Sequence, residues 1–131
     1  MRSGILSVLF LFASLQVLAQ FPISPNARDE NNLRTGYWTI LNDSADHVVT
    51  NPDSVVYYRI IRFEKGKPVG KVRDFFRTYG RQWEGYLTAT EPDFKEGEAI
   101  YYFENGKVQY HGFFKNNRWN RPSQRLFLKK P

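Results

Sequence analysis

The chain has 131 residues, enough for one small domain with or without a targeting segment, and its 19 Lys and Arg against 13 Asp and Glu give a formal charge of +6. Cysteine is absent, which excludes disulfides, thiolate nucleophiles, iron–sulfur clusters and thiolate zinc sites together. Two histidines, His47 and His111, are too few for a histidine-built metal cluster, so neither a metal nor another cofactor is expected.

Met1-Arg2-Ser3 is a short basic start, and Ile5 to Ala13 is almost unbroken Ile, Leu, Val and Phe. Val17 and Ala19 stand in the spacing that a signal peptidase reads, and Gln20-Phe21-Pro22 ends the run. The apolar core falls short of the ~20 residues a bilayer-spanning helix needs, so residues 1–19 read as a secretory signal. No cysteine follows for lipid attachment. The expected location is secreted or periplasmic, without a membrane span. Residues 20–35, with two prolines and little apolar content, read as extended or poorly ordered. Residues 36–131 form the folded domain.

The apolar content of that domain is unusual in kind. From Gln20 onward, twenty aromatic residues outnumber the seventeen Ile, Leu and Val, and no Met remains. Rings and β-branched residues suit a pleated surface better than a helix, and Pro and Gly recur too often for helices of ordinary length. The chain reads as all-β. Strands are expected over Tyr37–Leu41, Val55–Phe63, Val72–Phe76, Gln82–Leu87, Ala99–Phe103, Val108–Phe114 and Gln124–Leu128. Turns fall at Glu64-Lys65-Gly66-Lys67, Thr78-Tyr79-Gly80-Arg81, Glu104-Asn105-Gly106-Lys107 and Lys115-Asn116-Asn117-Arg118, where Gly and Asn tolerate positive φ. The polar stretches Asn42–Ser54 and Thr88–Glu96 read as loops.

The sequence also repeats itself. Gly70 matches Gly97, Trp83 matches Tyr110, Gly85 matches Gly112 and Tyr86 matches Phe113, each pair 27 residues apart. Between them the turn glycines, Gly80 and Gly106, are offset by one. Two strands repeated in tandem make a repeat architecture. A strand glycine weakens the ladder unless a ring from an adjacent strand covers it. Phe75, Phe76, Trp83, Tyr86, Tyr101, Tyr102, Tyr110 and Phe113 are the rings available for that packing.

Gly36-Tyr37-Trp38, Phe63-Glu64-Lys65-Gly66-Lys67-Pro68-Val69-Gly70, Gln82-Trp83-Glu84-Gly85-Tyr86 and Tyr102-Phe103-Glu104-Asn105-Gly106-Lys107 resemble MORN-type (membrane occupation and recognition nexus) repeats, nearest to the bacterial YwqK-type antitoxin variant. The resemblance spans roughly Gly36 to Leu128 and departs in its last copy, where Asn117 and Asn120 replace the usual glycines. It implies a single-layer, twisted antiparallel sheet of tandem β-hairpins, without catalytic residues, engaged in protein or lipid contacts. An antitoxin for a cytosolic toxin would not carry an export signal.

No elbow motif surrounds Ser44, Ser54 or Ser123. His111 sits mid-strand between Tyr110 and Gly112, and Asp93, Glu96 and Glu98 match no calcium loop. An enzyme is not expected. Charge is segregated: eight basic residues lie between Tyr57 and Arg81, six acidic between Gln82 and Glu104, and seven basic with no acidic after Glu104. This alternation reads either as neighbouring hairpins attracting one another or as a surface for an anionic partner. Export makes nucleic acid the poorer partner. In the terminal basic run Arg118, Trp119, Arg121 and Arg125 are the candidate binding residues. The expected function is a non-enzymatic exported module that binds a protein or envelope component. The alternatives are an anionic glycan or lipid-headgroup binder, and an antitoxin-like protein that neutralises a partner.

Overall fold

A computed structural model describes residues 21–78 and 80–120. The signal segment, the expected strand Gln124–Leu128, and Arg121 and Arg125 lie outside the described residues. Eight strands form one antiparallel sheet in the order β1 (Ala27–Arg28), β2 (Arg34–Asn42), β3 (Tyr57–Glu64), β4 (Lys67–Phe76), β5 (Arg81–Gly85), β8 (Gly97–Tyr102), β9 (Val108–Lys115) and β10 (Arg118–Trp119). Between β5 and β8 the chain leaves this sheet for a small separate hairpin, β6 (Leu87–Ala89) and β7 (Phe94–Lys95). The fold is all-β and built of consecutive hairpins.

Period-two alternation sets the faces. In β3, Tyr57, Arg59, Ile61 and Phe63 are buried, while Tyr58, Ile60 and Arg62 between them are only partly covered. The core gathers Ile40, Ile61, Phe63, Val72, Trp83, Leu87 and Ala99, with Trp38, Tyr101, Phe114 and Trp119 packed against it. Leu87 comes from the β6–β7 hairpin, which lies across this core face. The stretch expected as a loop at Thr88–Glu96 is therefore a strap over the sheet. It forms because Leu87 has apolar surface to cover, a long-range reward that local composition does not reveal. The stretch 42–54 is largely a loop, with a single bridge from Asn42 to Val48 and a short 3-10 turn over Pro52–Ser54.

Two turns show why Lys65-Gly66 and Asn116-Asn117 close hairpins. Glu64 pairs with Lys67, and the two residues between have φ of 49° and 77°. Lys115 pairs with Arg118 across Asn116 and Asn117, with φ of 52° and 63°. Positive φ at both central residues defines the turn whose twist matches a hairpin. Asn visits that region at lower cost than other side chains, so the missing glycines of the last copy do not prevent the hairpin. Asn117 also accepts a hydrogen bond from Lys95 N (2.9 Å) through Oδ1, and its own N–H donates to Lys95 O (3.0 Å). Asn117→Ala should lower stability by ~1–2 kcal/mol through the left-handed φ alone. A denaturation midpoint equal to the parent's would show the turn to be unimportant.

Residues 21–33 are tied to the sheet. Phe21 meets Tyr58 edge-on at 5.6 Å, Asn26 exchanges side-chain hydrogen bonds with the backbone of Thr39, and Trp38 Nε1 donates to Ala27 O. These contacts order a segment whose own composition offers little to bury.

The sequence repeat has a structural counterpart that extends to a third copy. Gly36, Gly70 and Gly97 adopt φ of +68°, +73° and +91° at or near the start of β2, β4 and β8. Packing over Gly85 is tight. A Cβ placed there would sit 2.5 Å from the Trp83 ring. The ring that covers Gly85 thus comes from two residues earlier on its own strand, not from an adjacent strand as expected. At Gly97 the neighbouring ring is Tyr86, 3.7 Å from a Cβ position.

The remaining repeat aromatics divide between the faces. Trp83 and Tyr110 belong to the core face, in register with Tyr101. Phe75 stacks on Tyr58 on the opposite, outer face (5.1 Å, 14° between planes). Tyr86 and Phe113 are exposed. Tyr102 donates its hydroxyl hydrogen bond to Glu84 on that outer face, where Arg81 (3.0 Å) and Arg73 (3.7 Å) also reach the carboxylate. Burial alone would raise the Glu84 carboxyl, but Tyr102 and Arg81 outweigh it and hold it below the ordinary 4.5. Its folded pKa being the lower one, the cluster stabilises the fold above pH 4.5 and that contribution is lost as pH falls through the depressed value. Glu84→Gln should flatten the acid limb of a melting-temperature profile. An unchanged profile below pH 4.5 would contradict this.

Candidate functional site

One row of side chains crosses the whole core face. The register aligns Ile40 with Arg59, Arg59 with Asp74, Asp74 with Trp83, Trp83 with Tyr101, and Tyr101 with Tyr110. Counted from the positive-φ glycines, Ile40, Asp74 and Tyr101 are equivalent positions, four residues on. Where the other copies place an aliphatic or aromatic side chain, the second places a carboxylate, and the strand between the first two copies answers it with a guanidinium. Arg59 and Asp74 have only 7% of their side-chain surfaces exposed.

The strap completes this cluster. Arg59 Nε and Nη2 donate to Asp74 at 2.7 and 2.9 Å, and Nη1 and Nη2 donate to both oxygens of Asp93 at 2.8 Å. One guanidinium therefore bridges two carboxylates, from the sheet and from the β6–β7 connection, in the forked geometry that only arginine offers. Lys95, two residues beyond Asp93, places its ammonium 5.7 Å from the Trp83 ring and 5.6 Å from Phe114. Burial pushes the Asp74 carboxyl above its ordinary value, opposed by the Arg59 hydrogen bonds and reinforced by the Asp93 charge. Burial and the same two carboxylates push the Tyr101 hydroxyl up to about 12. Beside the cluster, Arg34 pairs with Glu91 at 3.2 Å and lies over the Trp38 and Phe63 rings.

Between this strap and the 43–48 loop lies a half-open groove of about 760 Å³, lined among others by Ile40, Asn42, Asp46, His47, Tyr57, Arg59, Glu91, Asp93 and Lys95. Such a volume is in the range typical of small-ligand sites, about 300–1,000 Å³. Tyr57 donates to Asp46 (2.9 Å), and burial raises its hydroxyl pKa further. Asn42 is 5% exposed and uses its amide N–H on Ile40 O (3.3 Å). Among the described residues nothing donates to its Oδ1. That carbonyl oxygen, on a nearly buried side chain lining the groove, is open to a donor from outside the chain, water or ligand.

The candidate residues from the terminal run fall elsewhere. Trp119 packs edge-on against Phe114 (4.9 Å) and Tyr101 (5.7 Å), so its ring serves the core. Arg118 is exposed and, with Lys107 and Lys115, forms no ion pair among the described residues. The basic 57–81 segment does pair with the acidic one: Arg59 with Asp93, and Arg73 and Arg81 with Glu84. Asp93, Glu96 and Glu98 diverge to Arg59, the Asn116 N–H and His111. His47 lies on the exposed loop 3.4 Å from Asp43. No described helix is long and apolar enough to cross a membrane.

No family model, curated protein or solved structure matches this chain.

Proposed function

We propose that the chain is an exported, non-enzymatic binding module built of MORN-type repeats, and that the groove beside the Arg59 cluster is its ligand seat. The observation that carries this reading is the placement of Arg59 and Asp74 in a row that is otherwise aliphatic or aromatic. A buried ion pair rarely stabilises a fold more than apolar residues of the same volume. Its gain is positional: it holds Asp93, and with it one wall of the groove, at a set distance from the 43–48 loop. The signal-like segment at residues 1–19 supports export.

The test uses envelope extract and two forms of the immobilised protein, the parent and Ala45→Trp. Ala45 lines the groove and is exposed, so an indole there obstructs the seat without entering the core. Material retained by the parent and lost by the variant supports the seat. Equal retention by both forms would move binding to another surface. A parent that retains nothing would end the binding reading.

A further inference from the structure

Resting on that reading, we infer that the groove takes a neutral, hydroxyl-rich ligand of the saccharide class, with Asn42 Oδ1 and the groove carboxylates accepting its hydroxyl protons. The argument begins with what the groove has left to offer. Arg59 has four N–H donations committed to Asp74 and Asp93. Arg34 is committed to Glu91, and Lys95 is held over two rings. Arg59 and Arg34 are thus engaged with Asp93 and Glu91, while Asp46 has no ion pair among the described residues and the Lys95 ammonium, paired with no carboxylate there, offsets its charge. The lining therefore carries little net charge with which to draw in a phosphate, sulfate or uronate.

A hydroxyl donor meets the opposite situation. Asn42 Oδ1 accepts no hydrogen bond from the described residues. The Asp46 carboxylate accepts the Tyr57 hydroxyl and no other side-chain donor among the described residues, and a carboxylate accommodates several donors. Ile40, Val48 and Pro92 supply apolar lining for the C–H faces of a sugar ring. Mixed apolar lining with a few directed acceptors is how a concave site holds a small polar ligand in one orientation. The lining of this groove thus favours a neutral ligand over the anionic glycan that the basic chain as a whole suggests.

The experiment applies the labelled full chain to an array of neutral, amine-bearing and acidic oligosaccharides, repeated at about 0.1 and 1 M salt, where the Debye length falls from ~10 to ~3 Å. The expected result is retention on neutral glycans, nearly unchanged by salt. Ala45→Trp and Val48→Trp, both on the exposed rim, should weaken it by about tenfold or more while keeping the parent's denaturation midpoint. Retention only of acidic or amine-bearing glycans, strong salt dependence, rim variants that bind like the parent, or no glycan retained would each overturn the inference. Failure here is separable from failure of the binding reading: envelope protein captured by the parent and lost by Ala45→Trp, with an empty array, leaves the seat standing and removes the saccharide.

Discussion

Arg59→Met should lower stability by ~3–5 kcal/mol, because it strands the Asp74 carboxylate, 7% exposed, without its partner. The deficit should be largest near neutral pH and shrink on acidification. Burial already raises the Asp74 pKa above its unfolded value, and losing Arg59 raises it further. A carboxyl with a raised folded pKa binds more protons folded than unfolded, so stability recovers as pH falls through that range. Adding Asp74→Leu removes the stranded charge, and the double variant should regain most of the loss or exceed the parent. It should nonetheless bind less well, since Asp93 then has no guanidinium to hold the strap. Chemical denaturation across pH, paired with the envelope-capture assay, separates the two effects. A double variant as unstable as Arg59→Met would contradict the stranded-charge account, and one that binds like the parent would contradict the positional role of the pair.

The architecture was legible from the sequence because its main signals are local. Alternating aromatics and the Lys65-Gly66 and Asn-Gly turns report on neighbours within one hairpin, and the glycine pairs 27 residues apart repeat that local pattern in the next copy. The strap was not legible. Its two strands hold three and two residues, too short to show a period, and they exist because Leu87 and Asp93 find partners on a surface assembled from strands of the large sheet. Trp119 illustrates the same limit from the other side. Within a basic run it resembles an exposed anchor, yet Phe114 and Tyr101 claim its ring.

The candidate site was half legible. Period two from Tyr57 through Phe63 places Arg59 on the same face as three core residues, and that parity is a signal for a buried arginine. Sequence alone pairs it with no one, since Asp74 lies 15 residues away and Asp93 lies 34. Asn42 carries no signal at all, because an Asn opening a polar loop reads as part of the loop. Its burial comes from ending β2 opposite Tyr57.

Trp83→Ala should cost ~3–5 kcal/mol, the range for deleting a buried large ring. A domain of this size has only ~5–15 kcal/mol in total, so the variant should melt far below the parent or fail to accumulate. Burial and two contacts carry the effect. The ring is 3% exposed, it stands 6.4 Å from Tyr101, and it fills the space above Gly85 that a side chain would otherwise occupy. Its Nε1 makes no well-aligned hydrogen bond among the described residues, though the indole N–H is near enough to the Tyr101 hydroxyl to oppose the rise in that group's pKa. Trp83→Phe keeps most of the buried ring and gives up only that weak polar contact, so it should fall well short of the alanine loss. Gly85→Ala provides the complementary test. Its new methyl would lie 2.5 Å from the Trp83 ring and 3.2 Å from Glu98 O, so it should destabilise the parent. In the Trp83→Ala background the ring clash is gone, and the same glycine substitution should cost markedly less. A double-mutant cycle measures that coupling directly. Additive losses would mean that the indole does not cover Gly85, and the packing logic of the repeat would then have to rest on other rings.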